Sequence, residues 1–259
     1  MKDKTLLMDL GNSAIKYSLL GDTNTIKITS YRELKSFGEE LESTLDLSGI
    51  EKVFISSVTD EKINKALKNF LESRSIQYHW VKTSDIYISN NFSLVNAYRI
   101  PERFGVDRYC AAIGAIAEKN KCSMLVVQFG TATTVDTIFY EGSGRYVLQG
   151  GRILPGVSLM LGVLSKRTAN LPIAKGKYSD IPTNTDDAIT TGVIEAQLGP
   201  ISSAFSKLQK NTNASKILVS GGHNEYLKSR LLYEFKEKNV IFYQNLVIKG
   251  LAEISNNCR

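Results

Sequence analysis

The sequence is poor in the residues that build covalent or metal-held scaffolds. Its 259 residues contain three cysteines, Cys110, Cys122 and Cys258, and two histidines, His79 and His223. An odd number of thiols with no paired spacing offers no disulfide framework, and no zinc-ligand spacing occurs. No apolar run nears the ~18 residues of a membrane helix. The opening MKDKTLLMDLGNS moves from charge through a short strand-like run into glycine and asparagine, without an export signal. These absences predict a protein of the reducing cytoplasm with no membrane partner. The net charge of +6 comes from basic residues scattered among acids. Nucleic-acid binding calls for a basic stripe or an aromatic-interleaved basic stretch, and neither is present. The excess would instead help draw in anionic ligands.

What the sequence does have is an alternation of strands and helices. Thr5–Leu10 is a short apolar run ending at Gly11-Asn12, Ile15–Leu20 alternates in part, and Gly21-Asp22 precedes Thr25–Tyr31, so a three-stranded meander is predicted. Ser36–Leu45 has helical character, Lys52–Ser57 is a β-rich run, and Glu61–Arg74 sets Ile63, Ala66, Leu67, Phe70 and Leu71 at helical spacing. A second unit starts near Val106, with a predicted helix at Arg108–Lys119 and strands at Met124–Phe129, Thr134–Tyr140 and Tyr146–Gln149. LLMDLGNSAIKYSLLGD and LVVQFGTATTVDTIFYEG share one order of strand, glycine with a small polar residue, strand and turn, which predicts a duplication. Helices at Val157–Leu164, Asp186–Lys207 and Asn224–Lys238, strands at Lys216–Ser220 and Val240–Tyr243, and a closing segment Val247–Ile254 extend the pattern. The predicted architecture is α/β with a mixed or parallel sheet and two lobes, 1–113 and 114–259.

Three strands run into glycine: at Asp9-Leu10-Gly11-Asn12-Ser13, at Gln128-Phe129-Gly130-Thr131, and at Ser220-Gly221-Gly222-His223. Glycine at a strand end lets backbone N–H groups approach an anion, and neighbouring Ser, Thr or Asn add short donors, an arrangement suited to nucleotide phosphates. One such turn is ordinarily just a turn. Three in a duplicated α/β unit point to phosphate. Neither the P-loop G-x-x-x-x-G-K-[ST] nor the dinucleotide G-x-G-x-x-G after a strand occurs. Two glycine-ended hairpins and a Gly-Gly turn in a duplicated unit resemble the actin-like ATPases and sugar kinases, which implies two ribonuclease H-like lobes with phosphoryl transfer in a cleft between them.

A closer resemblance is carried by a series of motifs in order: Asp9-Leu10-Gly11-Asn12-Ser13 with Lys16, Tyr98 before Gly105-Val106-Asp107-Arg108, Phe129-Gly130-Thr131-Ala132-Thr133-Thr134, Gly150-Gly151-Arg152-Ile153-Leu154-Pro155-Gly156, Leu171-Pro172, Asn184-Thr185, Gly221-Gly222 and Lys249-Gly250-Leu251. Together they resemble the type III pantothenate kinases, the group that includes the Bvg accessory factor proteins. The resemblance implies phosphorylation of pantothenate by ATP, the first step of coenzyme A biosynthesis, in a cytoplasmic homodimer. It implies a first phosphate loop of Asp9, Leu10, Gly11, Asn12, Ser13, Ala14, Ile15 and Lys16, with Asp9 holding Mg2+ directly or through water, and a contact of Thr131 with ATP. Mg2+ takes one or two carboxylates plus waters and phosphate oxygens, so one Asp at a strand end suits it. Read from its position alone, Lys16 lies on a strand face.

The same resemblance makes Asp107 the general base toward the pantothenate hydroxyl, within the substrate motif Gly105, Val106, Asp107 and Arg108, and makes Tyr98 and Thr185 further substrate contacts. Read alone, Asp107 is a first-turn helix carboxylate favoured by the helix dipole, a role compatible with the first. Gln128 departs from the pattern. Many members carry Asp there, associated with activating K+ or NH4+, and a neutral amide oxygen attracts a cation less strongly than a carboxylate. Another kinase of the same superfold, or a nucleotide-binding regulator without turnover, remains an alternative at this stage.

Overall fold

The computed structural model describes residues 4–31, 47, 49–167, 174–212, 215–222, 227–236 and 239–258. The chain forms two compact units: Met1–Lys121 with Gly142–Tyr146 and Gln244–Arg259, and Cys122–Glu141 with Val147–Tyr243. The expected Ser36–Leu45 helix, Leu171-Pro172 and His223 lie outside the described residues.

In the first unit, β1 (Thr5–Leu10), β2 (Ala14–Leu19), β3 (Lys27–Ser30), β4 (Lys52–Ser57) and β5 (Gln77–Trp80) form a sheet of order β3-β2-β1-β4-β5. β1 pairs antiparallel with β2 and parallel with β4, and β4 runs parallel to β5. Period-two alternation sorts the faces. Leu6, Met8, Leu10, Ile15, Tyr17, Val53 and Ile55 pack on α1 (Glu61–Ser73) through Leu67, Phe70 and Leu71. Asp60 starts that helix by accepting the Ile63 amide at 2.9 Å, as an N-cap residue does. The alternate residues Leu7, Asp9, Phe54 and Ser56 therefore share the other face. The helices in contact with β1 and β4 there are α2 (Val106–Ala117) and the last helix, α6 (Leu246–Asn257).

In the second unit, β8 (Ser123–Phe129), β9 (Ala132–Gly142), β10 (Arg145–Pro155), β11 (Ser215–Ser220) and β12 (Val240–Phe242) follow the order β12-β11-β8-β9-β10. β8 is antiparallel to β9 and parallel to β11, which is parallel to β12. This is the first sheet's topology repeated, with β8 in the place of β1 and β11 in that of β4. Its core joins Leu125, Val127, Ile217 and Val219 to residues of α3 (Val157–Arg167), α4 (Thr185–Gln209) and α5 (Lys228–Phe235). Among the described residues no helix is long and apolar enough to cross a membrane.

The structure redraws several expected boundaries. A cut after residue 113 falls inside α2, which is one continuous helix. The closing segment, expected in the second lobe, belongs to the first unit because α6 packs on α2 at two glycines. A Cβ on Gly114 would lie 2.2 Å from the Leu246 carbonyl oxygen, and one on Gly250 would lie 1.8 Å from that of Cys110. β10 runs on through Gly150 and Gly151 to Pro155, past the expected end at Gln149, and β5, β6 (Ile86–Ile88) and β7 (Ser93–Asn96) carried too little alternation to be read as strands.

Candidate active site

In the first unit the glycine-ended hairpin closes with the Gly11 amide donating to the Ala14 carbonyl at 3.1 Å and the Tyr31 amide to that of Ser13 at 3.2 Å. Asn12 and Ser13 stand exposed at the tip. Asp9, just below it, is 5% exposed. Cross-strand pairing sets Asp9 beside Lys16 on one flank and Ser56 on the other. Directly opposed residues share a face, so Lys16 lies on the strand face as expected. Burial pushes the Asp9 carboxyl up to about 6; Lys16 draws it down, the Asp107 carboxylate raises it further, and a hydrogen bond from the Asn245 side chain lowers it.

Asp107 reaches the same place from the first turn of α2. Gly105 opens that helix without a side-chain cap. The Asp107 carboxylate fills the role itself, Oδ1 accepting the Arg108 amide at 2.8 Å. Its acidity is also weakened, first by burial, with the Arg108 amide, the Arg108 charge and Lys16 acting the other way. One turn on, the buried Cys110 thiol is held protonated by burial and by the fields of Asp9 and Asp107. Two carboxylates from distant parts of the chain thus share one partly desolvated place, with Lys16 acting on both.

Arg108 is 5% exposed and stacks its guanidinium 4.2 Å from the centre of the Phe104 ring. Tyr98 meets the same ring edge-on at 5.2 Å. Tyr98, Phe104 and Arg108 therefore form one aromatic–cation column leading to Asp107. Asp9, Lys16, Tyr98, Gly105, Val106, Asp107 and Arg108 all fall in the first unit.

Thr131, Gln128 and Thr185 belong to the second unit. There the Gly130 amide donates to Ala132 at 3.1 Å. Phe129 pairs with Thr133 where Leu10 pairs with Ile15, so this turn is one residue shorter than its counterpart. Gln128 takes the repeat position of Asp9, with Thr134 and Ser220 beside it where Asp9 has Lys16 and Ser56. No charge occupies these flanking positions. The Gly156 amide donates to the exposed Thr131's carbonyl at 2.9 Å, and Gly221, at φ +105°, lies so close to Phe129 that a Cβ would sit 2.1 Å from its carbonyl oxygen. Two glycine turns and the start of α3 meet at one end of this sheet. Thr185 opens α4, exposed, one residue past the Asn184 cap.

Among the described residues, no three His, Cys, Asp or Glu side chains gather as a metal cage. A buried and a half-buried carboxylate, Asp9 feeling the repulsion of Asp107 below a hairpin tip of small polar residues, fit a divalent cation that brings its remaining ligands with a phosphate and water. Sequence reading missed Asn245, Ser56 and Tyr31. Asn before an apolar helical run signals a cap, but nothing in the sequence says that it faces Asp9.

A family model described as type III pantothenate kinase matches residues 5–207. A Dechloromonas aromatica protein named type III pantothenate kinase is 36% identical over 205 residues, covering 79% of each chain. One of the same name from Aromatoleum aromaticum is 33% identical over 252 residues, covering 96% of this chain and 97% of the relative. Among solved structures, a Campylobacter jejuni protein assigned to the Baf family of transcriptional activators superposes with a TM-score of 0.61 at 20% identity, covering 97% of both chains. A Listeria monocytogenes protein classed as an N-acetylmannosamine kinase superposes at 0.52 and 12% identity, over 98% and 99% of the two chains. At these identities the structures speak for the fold alone, that of the actin-like ATPases and sugar kinases, whose duplicated lobes were expected from the sequence.

Proposed function

The chain belongs to the type III pantothenate kinase family, and from that premise we propose that it transfers the γ-phosphoryl group of ATP to the primary hydroxyl of pantothenate, giving 4′-phosphopantothenate and ADP at the entry to coenzyme A biosynthesis. The observation that carries this reading is that Asp9, buried, and Asp107, half-buried, are both of weakened acidity, with Asp9 under the field of Asp107 and both under that of Lys16.

Each side chain has a task. The hydroxyl oxygen attacks the γ-phosphorus, the bond from that phosphorus to the β,γ-bridging oxygen breaks, ADP leaves, and Asp107 accepts the hydroxyl proton. Phosphoryl transfer needs alignment and charge neutralisation above all. Burial makes Asp107 a better proton acceptor than an exposed carboxylate, while the helix amide on Oδ1 holds its orientation. Arg108, pre-oriented on Phe104, suits the pantothenate carboxylate, and Tyr98 lies next to it. Asp9 and the Gly11–Ala14 turn, with Lys16 alongside, are assigned to the ATP phosphates, as is Thr131; Thr185 is assigned to the substrate. Asp9 would hold Mg2+, which when bound neutralises phosphate charge.

We also assign a homodimer and a cytoplasmic setting. Ile153 on β10 and Leu159 and Val163 on α3, apolar and half or more exposed, support pairing of two copies. K+ and NH4+ stay assay variables, since Gln128 offers a neutral oxygen where a carboxylate would bind a cation more strongly. The test is steady-state ADP release with pantothenate in Asp107→Asn. A loss of about 10²- to 10⁴-fold is expected in a folded variant. Full turnover would remove Asp107 as the base, and ADP release with N-acetylhexosamines but not pantothenate would move the substrate assignment.

A further inference from the structure

The stretch that presents Tyr98 and Arg108 is tied down by side chains that precede it. Asn96, the last residue of β7, is 4% exposed, and its side chain makes three hydrogen bonds to backbone. Oδ1 accepts the Tyr98 amide at 3.1 Å, while Nδ2 donates to the Ser84 carbonyl at 3.2 Å and to the Pro101 carbonyl at 3.4 Å. A backbone amide can only donate and a carbonyl can only accept, so these partners fix which end of the Asn96 amide is oxygen. The Pro101 carbonyl also takes the Phe104 amide at 3.0 Å, closing the 3₁₀ turn Pro101–Arg103. Beside Ser84, Thr83 donates its hydroxyl to the Phe104 carbonyl at 2.8 Å, and the Ser84 hydroxyl meets that of Tyr109, on α2, at 2.8 Å. Phe104, 1% exposed, is the ring on which both Tyr98 and Arg108 rest.

We infer that Asn96 and Thr83 are positioning residues for the phosphate acceptor: they clasp residues 98–104 at the two ends and so set where Tyr98 and the Arg108 guanidinium stand. This rests on the reading of Tyr98 and Arg108 as pantothenate contacts and adds the residues through which they are aimed. Residues 98–104 have no regular structure beyond the one 3₁₀ turn, so their path follows from what they are bonded to. The chemistry favours an amide at the first end. Aspartate would keep the bond to the Tyr98 amide but set a carboxylate oxygen against two carbonyl oxygens, and serine is too short to serve three partners. Only asparagine accepts through one atom and donates twice through the other. At the second end the Thr83 hydroxyl holds the residue that carries the ring, and a ring shifted by its backbone shifts the guanidinium stacked on it.

The experiment compares Asn96→Ala, Thr83→Val, Arg108→Ala, and Asn96→Ala and Thr83→Val each combined with Arg108→Ala, with the wild-type chain. It reads calorimetric melting and ADP-release kinetics with each substrate varied in turn. Both deletions of a hydrogen bond should lower the melting temperature, an effect that a merely structural role would share. The split between substrates is what discriminates. In Asn96→Ala, assayed below its melting temperature, we expect kcat/KM for pantothenate to fall ~10- to 100-fold, mostly through KM, with KM for ATP at its wild-type value. Thr83→Val, which loses one bond, should show a smaller change of the same kind. Each loss should shrink in the Arg108→Ala background, where part of what the clasp aims is gone. Wild-type KM for pantothenate in either single variant, or a loss shared equally by both substrates and undiminished without Arg108, overturns the inference and leaves the two side chains as structural hydrogen bonds. Wild-type KM for pantothenate in Arg108→Ala overturns the reading of Arg108 itself, which separates the two failures. If Asn96→Ala does not fold, Thr83→Val, isosteric and only half-buried, decides by the same readouts.

Discussion

Replacing Gly250 by alanine puts the packing of α6 on α2 to a direct test. In an exposed helix the change would stabilise by ~1 kcal/mol, because glycine is the poorer helix former. Here the new Cβ would stand 1.8 Å from the Cys110 carbonyl oxygen, 2.6 Å from its carbon and 3.1 Å from its Cα. All three are backbone atoms of a helix buried along most of its length, so no side chain can swing aside. Restoring an ordinary carbon–oxygen separation of ~3.4 Å needs the helices to part by roughly 1.6 Å. Overpacking against backbone that cannot swing aside belongs to the upper part of the usual range, ~2–3 kcal/mol, which outweighs the helix gain and leaves a net loss of ~1–2 kcal/mol. At ~2–4 °C per kcal/mol for a chain of this size, melting should fall by ~2–8 °C. The kinetic effect should be larger. α2 carries Asp107 and α6 begins at Asn245, while Asp9 stays on the sheet, and a misplacement near 1 Å can cost about 10²-fold in rate. Differential scanning calorimetry and ADP-release kinetics read the two effects. Gly192→Ala, on α4 with nothing within 4 Å of the new Cβ, is the control and should melt higher. If Gly250→Ala also melted at or above wild type with unchanged turnover, the close crossing and the geometry built on it would be wrong.

Two further outcomes follow from the same site. Asp9, pushed up to about 6 from 3.8, and Asp107, also raised, bind protons more tightly folded than unfolded. Their contribution to ligand-free stability is therefore complete below the unfolded carboxylate range and is lost as pH rises through the folded value. For Asp9 the full span is about 3 kcal/mol, roughly half of it gained between pH 7.5 and 5; ligand-free melting should rise on acidification over that window, and a flat response would refute the burial assigned to Asp9. Arg108→Lys keeps the charge but loses the planar stack on Phe104 at 4.2 Å; it should raise KM for pantothenate about tenfold or more with KM for ATP little changed, measured by varying each substrate in turn.

Much of this protein is decided locally and is legible in its sequence. β1 and β4 were read at their true bounds and β8 and β11 within a residue, because an apolar run cut off by glycine or a hydroxyl admits few other local structures. The duplication is equally local: two stretches of similar pattern build the same sheet order. What pattern could not supply is which distant elements share a face. Asp9 and Asp107 become one site because α2 lies against the side of the sheet to which Asp9's parity turns it. α6 joins the first unit because two glycines let helix backbones come closer than any side chain permits. Asn245 looks in sequence like any helix cap, and only the fold buries it at the start of a helix that lies against β1, the strand of Asp9. Strand, turn and cap are set by neighbours along the chain. The electrostatics of a shared carboxylate pair depend on burial and on distance through space, which tertiary packing alone creates.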